Sequence, residues 1–155
     1  MQQTLEKPVD SQHEFVSFLV GKQSFCLDIS KIGEIRRWSP ATILPHAPDY
    51  VLGVINLRGS VIPIFDLSAK LGFGKVEPDE RSVIMIVNEG TQTIGLLVDS
   101  VSEILNVDPS RMQSKPDIDE EATDHIIGFF VEEDDIIRII DLPMIIKPAA
   151  DLSVE

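Results

Sequence analysis

Gly53-Val54-Ile55-Asn56-Leu57-Arg58-Gly59-Ser60-Val61-Ile62-Pro63-Ile64-Phe65-Asp66-Leu67 carries the clearest fold signal in the chain. Gly53–Leu57 and Val61–Asp66 are short apolar runs joined by Arg58-Gly59-Ser60, the pattern of a β-hairpin. Pro63 lies inside the second run and has no backbone N–H, which predicts an edge strand or a bulge there. Leu67–Leu71 has room for one helical turn.

Toward the N-terminus, Phe15–Val20 and Ser24–Ile29 flank the turn Gly21-Lys22-Gln23 and form another hairpin, with Phe25, Leu27 and Ile29 on one face. Cys26 then faces outward or across a barrel. Ser30–Gly33 fits one helical turn and Glu34–Trp38 a strand. Pro40, Pro45 and Pro48 break the next stretch into loop. Residues 1–13 read as a disordered tail. Toward the C-terminus, Gly72–Glu80 is a loop, and the pattern starts again. Ser82–Val87 and Thr91–Val98 flank the turn Asn88-Glu89-Gly90, and Val101–Val107 is a further strand. Asp108–Asp124 is polar and acidic, a loop. His125–Val131 and Ile136–Asp141 then enclose an acidic turn. Pro143 and Pro148 limit the segment after Asp141 to about one helical turn, and 148–155 is a short tail.

The restart has a fixed offset. Adding 69 takes Phe25, Leu27, Ile29, Ile32, Glu34 and Ile35 to Ile94, Leu96, Val98, Val101, Glu103 and Ile104. Adding 75 takes Gly53, Ile62, Ile64, Asp66 and Leu67 to Gly128, Ile137, Ile139, Asp141 and Leu142. These matches imply two copies, about 14–71 and 82–147, each with about five strands, either intertwined or adjacent within one domain at 14–147. An open five-stranded sheet exposes two edges, whereas closure removes them. The expected fold is therefore mainly β: two small β-barrels side by side, with a few short helical turns.

Composition supports this. Ile and Val contribute 20 and 14 of the 155 residues, and β-branched residues suit a pleated surface. A chain of this length buries enough core to need no metal or disulfide staple, and a single cysteine makes no internal disulfide. The net charge of −13 opposes counterion-release binding to nucleic acid and attachment to an anionic membrane surface. No apolar run approaches a membrane span, and residues 1–13 do not resemble a signal peptide, so the expected compartment is the cytoplasm.

The halves differ in charge. Residues 1–98 carry 11 acids and 9 bases, and residues 99–155 carry 15 and 4. The acidic half reads as a solvated, solubilising face or as a field steering a basic partner. The hairpin tips differ too. Leu57-Arg58-Gly59 offers one apolar anchor and one arginine, where the second copy has Glu132-Glu133-Asp134. That tip is either an ordinary turn with a solvated Arg or an interface hot spot.

Motifs for chemistry are missing. Gly72-Phe73-Gly74-Lys75 is too short for a phosphate loop, no nucleophile elbow is present, and His13, His46 and His125 lie far from one another. Asp117, Asp119, Glu120, Glu121 and Asp124 approach a calcium loop. However, Ala122 stands where the loop requires Gly, and Gly128 where it requires Glu. A metal-dependent or enzymatic use of these acids remains the competing hypothesis, with a solvated loop favoured.

Lys31-Ile32-Gly33-Glu34-Ile35-Arg36, Gly53-Val54-Ile55-Asn56-Leu57-Arg58-Gly59, Val61-Ile62-Pro63-Ile64-Phe65-Asp66-Leu67 and Ile94-Gly95-Leu96-Leu97-Val98-Asp99-Ser100-Val101 together resemble the CheW family of chemotaxis coupling proteins. The resemblance runs from about Phe15 to about Ile146. It implies two five-stranded SH3-like barrel subdomains with no catalytic residues, no cofactor and no metal. It implies a cytoplasmic adaptor joining a CheA-type histidine kinase, through the kinase's regulatory domain, to the cytoplasmic tips of methyl-accepting chemoreceptors in membrane-associated arrays. A CheW-like scaffold serving a non-flagellar pathway is the alternative. A receptor helical hairpin would lie in a groove between the subdomains. The family's receptor-side positions map to Ile32, Glu34, Gly53 and Arg58, and Leu57 would add apolar surface. No kinase-side residue is assigned. Glu34 either pairs with a basic receptor residue or holds Arg58 within the protein.

Overall fold

The computed structural model describes residues 13–114 and 125–146. The acidic 117–124 segment, residues 1–12 and the 148–155 tail lie outside the described residues. Eleven strands are described: β1 His13–Val20, β2 Gln23–Asp28, β3 Ile32–Arg37, β4 Val51–Leu57, β5 Ser60–Asp66, β6 Val83–Glu89, β7 Gln92–Val98, β8 Ser100–Val107, β9 Gln113–Ser114, β10 Ile126–Glu132 and β11 Asp135–Ile140. Two short helices, α1 (Leu67–Lys70) and α2 (Leu142–Ile146), follow β5 directly and β11 after one residue, Asp141. His13 thus belongs to β1, opposite Val107, rather than to a tail, because its backbone completes that ladder.

The strands form two sheets, in the orders β8-β1-β2-β11-β10-β9 and β3-β6-β7-β5-β4. The fold is mainly β, with two SH3-like subdomains. Each sheet draws strands from both halves of the chain. The β1–β2 hairpin joins β8, β10 and β11, while the β6–β7 hairpin joins β3, β4 and β5. The leading hairpins are therefore crossed over. The matching recurs in detail. The amides of Asp66 and Asp141 donate to the carbonyls of Tyr50 and His125, both at 2.7 Å. Gly21 and Gly90, with φ of 65° and 63°, turn the two hairpins.

The sheets depart from the sequence expectation in two places. The stretch read as loop after Val107 includes a one-turn 3-10 helix at Pro109–Arg111 and the two-residue β9, so the first sheet has six strands instead of five. Pro63 lies in β5, which is flanked on both sides and is no edge strand. Its missing donor is tolerated because the parallel ladder with β7 starts at Ile64, and its partner Val54 exchanges its backbone bonds with Thr42 instead. The bulge in this pair lies nearby, between Val51 and Gly53.

Central strands are apolar on both faces because both faces are covered. Phe25 and Leu27 of β2, and Ile94, Leu96 and Val98 of β7, meet in a core shared by both sheets, with Phe18, Phe65, Met85 and Ile145. The alternating residues turn the other way. Cys26 joins Phe15, Phe130, Ile137 and Ile139 inside the first subdomain. Ile84, Ile86 and Leu97 join Leu57, Ile62 and Ile64 inside the second. Cys26 is fully buried, and that burial drives its thiol pKa far above the usual range.

Candidate functional site

The β4–β5 connection is a two-residue turn. Arg58 and Gly59 both have positive φ, 51° and 90°, and Leu57 pairs with Ser60. Such a turn matches the right-handed twist of the flanking strands. The Asn56 side chain stabilises it by accepting a hydrogen bond from the Gly59 amide at 3.0 Å. Arg58 therefore stands at the apex, 73% exposed, on a backbone fixed from both sides.

Glu34 meets it from β3. A bulge between Ile32 and Glu34 interrupts pairing with β6 and re-aims the strand. The Arg58 guanidinium donates to Glu34 Oε1 at 2.5 Å, and Arg36 approaches the other oxygen at 3.9 Å. Hydrogen bonding from Arg58 holds the Glu34 carboxyl below its ordinary pKa. Of the two pairings open to Glu34, the unbound protein has the internal one.

Glu34, Leu57 and Arg58 line an open cleft of about 500 Å³. All its walls come from the second sheet: β3, the β4–β5 tip, and the β6–β7 hairpin through Ile86, Asn88, Thr91 and Thr93. The cleft is thus a mouth of one subdomain and not the seam between the two. Leu57 departs from its expected part. It is only 9% exposed and packs with Ile62 and Ile64, because the two-residue turn directs it inward. The exposed apolar residue of the tip is Val61, at 51%. Ile32 is half-buried against the shared core and is not part of the lining. Gly53 is buried, and a Cβ there would fall 2.4 Å from the Thr42 carbonyl oxygen. Its place is one of close backbone approach.

Sequence reasoning did not place Asn88, Thr91 and Thr93. Asn88 reads as part of a turn and Thr91 and Thr93 as the start of a strand, and only the three-dimensional return of β6–β7 beside β3 brings them to the cleft with Arg58. No group of three or more metal-ligating side chains occurs among the described residues.

A model of the CheW-like domain matches residues 14–150. The chain belongs to the CheW-like family. A chemotaxis protein CheW of Rhizobium meliloti is 53% identical over 105 residues, 68% of each chain. A CheW-like relative from Klebsiella aerogenes, also named chemotaxis protein CheW, is 31% identical over 86% of this chain and 81% of its own. Among solved structures, the scaffolding protein TtCheW of Thermoanaerobacter tengcongensis superposes with a TM-score of 0.77. It is 32% identical, and the match covers 83% of this chain and 88% of that one. The CheW-like fold is thus shared in both sequence and architecture.

Proposed function

We propose that this chain is a non-catalytic chemotaxis adaptor that couples a CheA-type histidine kinase to the cytoplasmic tips of chemoreceptors. The CheW-like domain spanning most of the chain supports this reading, and the chemotaxis names of its relatives favour it over a different pathway. The same reading places the protein in the cytoplasm, recruited to receptor arrays. No helix among the described residues is long and apolar enough to cross a membrane.

The receptor side is the Glu34–Arg58 cleft. The single observation that carries this assignment is a 73%-exposed arginine held at a rigid turn apex by one carboxylate. Its planar fork suits a receptor carboxylate or carbonyl, and Glu34 keeps it oriented until a partner competes. Val61 supplies apolar contact at the tip. Leu57, Gly53 and Ile32 act from beneath, by fixing the turn, β4 and the start of β3.

The test is titration of the full-length protein with a chemoreceptor cytoplasmic fragment. Arg58→Ala is expected to weaken binding by about 30-fold, as for an interface hot spot of about 2 kcal/mol, with thermal stability unchanged. Unchanged affinity would remove the cleft from the receptor interface.

A further inference from the structure

The cleft lining holds a second side-chain donor besides Arg58, on the β6–β7 hairpin. Asn88 stands at the end of β6, paired with Thr93 across the hairpin. The Thr93 hydroxyl donates to Asn88 Oδ1 at 2.6 Å, which fixes the amide plane. Asn88 Nδ2 is thereby turned toward Gly33 on the cleft floor, where a Cβ would come within 3.0 Å of it. Gly33 leaves room for this group. Asn88 is exposed and lines the cleft, and no acceptor for its amide hydrogens is found among the described residues, so they are available to donate. Among the described residues Glu34 is the only carboxylate in the lining, and it already pairs with Arg58.

The other half of the molecule supplies an internal comparison. At the offsets that relate the two copies, Asn88 corresponds to Leu19, Thr93 to Ser24 and Arg58 to Glu133. Glu133 occupies the same turn position, with φ of 50°. Ser24, lacking an amide to hold, donates instead to Asp135 at 2.6 Å. The two copies therefore have equivalent hairpin positions, and the arginine and the amide occur together in only one copy.

We infer that Asn88, positioned by Thr93, is a partner-contacting residue that binds, jointly with Arg58, one acidic side chain of the receptor segment entering the cleft. This rests on the cleft being the receptor site. The chemistry selects a carboxylate, since it accepts from a guanidinium on one side and an amide on the other, whereas a basic or purely apolar segment leaves both donors unpaired. Val61 favours an apolar neighbour beside that acid.

Titration of the full-length protein with the chemoreceptor cytoplasmic fragment tests this. Asn88→Ala is expected to weaken binding about tenfold, the effect of one hydrogen bond to a charged group. Thr93→Val, which frees the amide to rotate, is expected to weaken it about threefold. The Arg58→Ala/Asn88→Ala double variant should lose less than the product of the single losses, because both donors serve one carboxylate. Ser24→Ala, at the equivalent position of the other copy, should bind as the wild type does. If Arg58→Ala weakens binding and Asn88→Ala does not, the assignment of Asn88 is overturned while the cleft stands. If neither matters, the cleft itself falls. Independent, multiplicative losses would overturn the shared carboxylate, and an equal loss in Ser24→Ala would overturn the preference for this cleft.

Discussion

Gly53→Ala separates a residue that touches a partner from one that shapes the surface beneath it. Gly53 has φ of 149°, a region essentially reserved for glycine, and an alanine Cβ would lie 2.4 Å from the Thr42 carbonyl oxygen and 3.0 Å from the Ala41 Cβ. Adopting that backbone costs an L-residue about 1–3 kcal/mol. Relief of the clash requires Thr42 to retreat, which breaks two backbone hydrogen bonds between Thr42 and Val54, both at 2.8 Å. Each contributes about 1 kcal/mol. The expected loss is therefore roughly 3–5 kcal/mol, a fall in Tm of about 10–15 °C for a chain of this size. Urea unfolding followed by the single tryptophan, Trp38, and by far-UV circular dichroism measures it. Receptor binding should weaken alongside, since β4 carries Arg58 at its end. A Gly53→Ala protein with wild-type stability that nevertheless fails to bind the receptor fragment would refute this reasoning and make Gly53 a direct contact.

Two further outcomes concern the core. Gly95 faces Ile64 and Ile84, and a Cβ there would lie 2.5 Å and 2.9 Å from their side-chain carbons. Gly95→Ala should cost about 1–3 kcal/mol by overpacking, and Ile64→Val should recover part of it in chemical denaturation. No recovery would show that the cost lies in the backbone. Asp66 is fully buried and accepts hydrogen bonds from the amides of Val76 at 2.9 Å and Ala69 at 3.3 Å. Burial raises its pKa above 3.8 despite these bonds. The folded state thus holds the proton more tightly than the unfolded chain, and the stability due to protonation is lost as pH rises from below 3.8 through the raised folded value. Asp66→Asn should lack this step in melts compared with wild type between about pH 3 and 7. Parallel pH profiles would contradict it.

Much of the fold is legible in local pattern. The offsets of 69 and 75 pair residues that play matching parts, such as Asp66 with Asp141, because equivalent turns and bulges demand equivalent residues. The apolar runs of β6 and β7 signal burial on both faces. Strand partnership is another matter. The β1–β2 hairpin contacts strands more than 70 residues away, and nothing in its own sequence states which sheet it completes. Leu57 misleads because a two-residue turn and a three-residue turn direct it oppositely, and Arg58-Gly59-Ser60 fits either. Arg58 and Glu34 are readable from the family resemblance. Asn88 is not, since it joins the cleft only by lying near residues that are distant in sequence.

The crossed hairpins bear on how the molecule transmits load. Cutting the chain between 72 and 81 yields two pieces, neither holding all the strands of a sheet, so each has to clasp the other to fold. A pull applied at Arg58 passes through β5 to β7, and from β7 through the common core to Phe25 and the far sheet. Across its described residues the protein is thus a single interlocked link rather than two beads on a string.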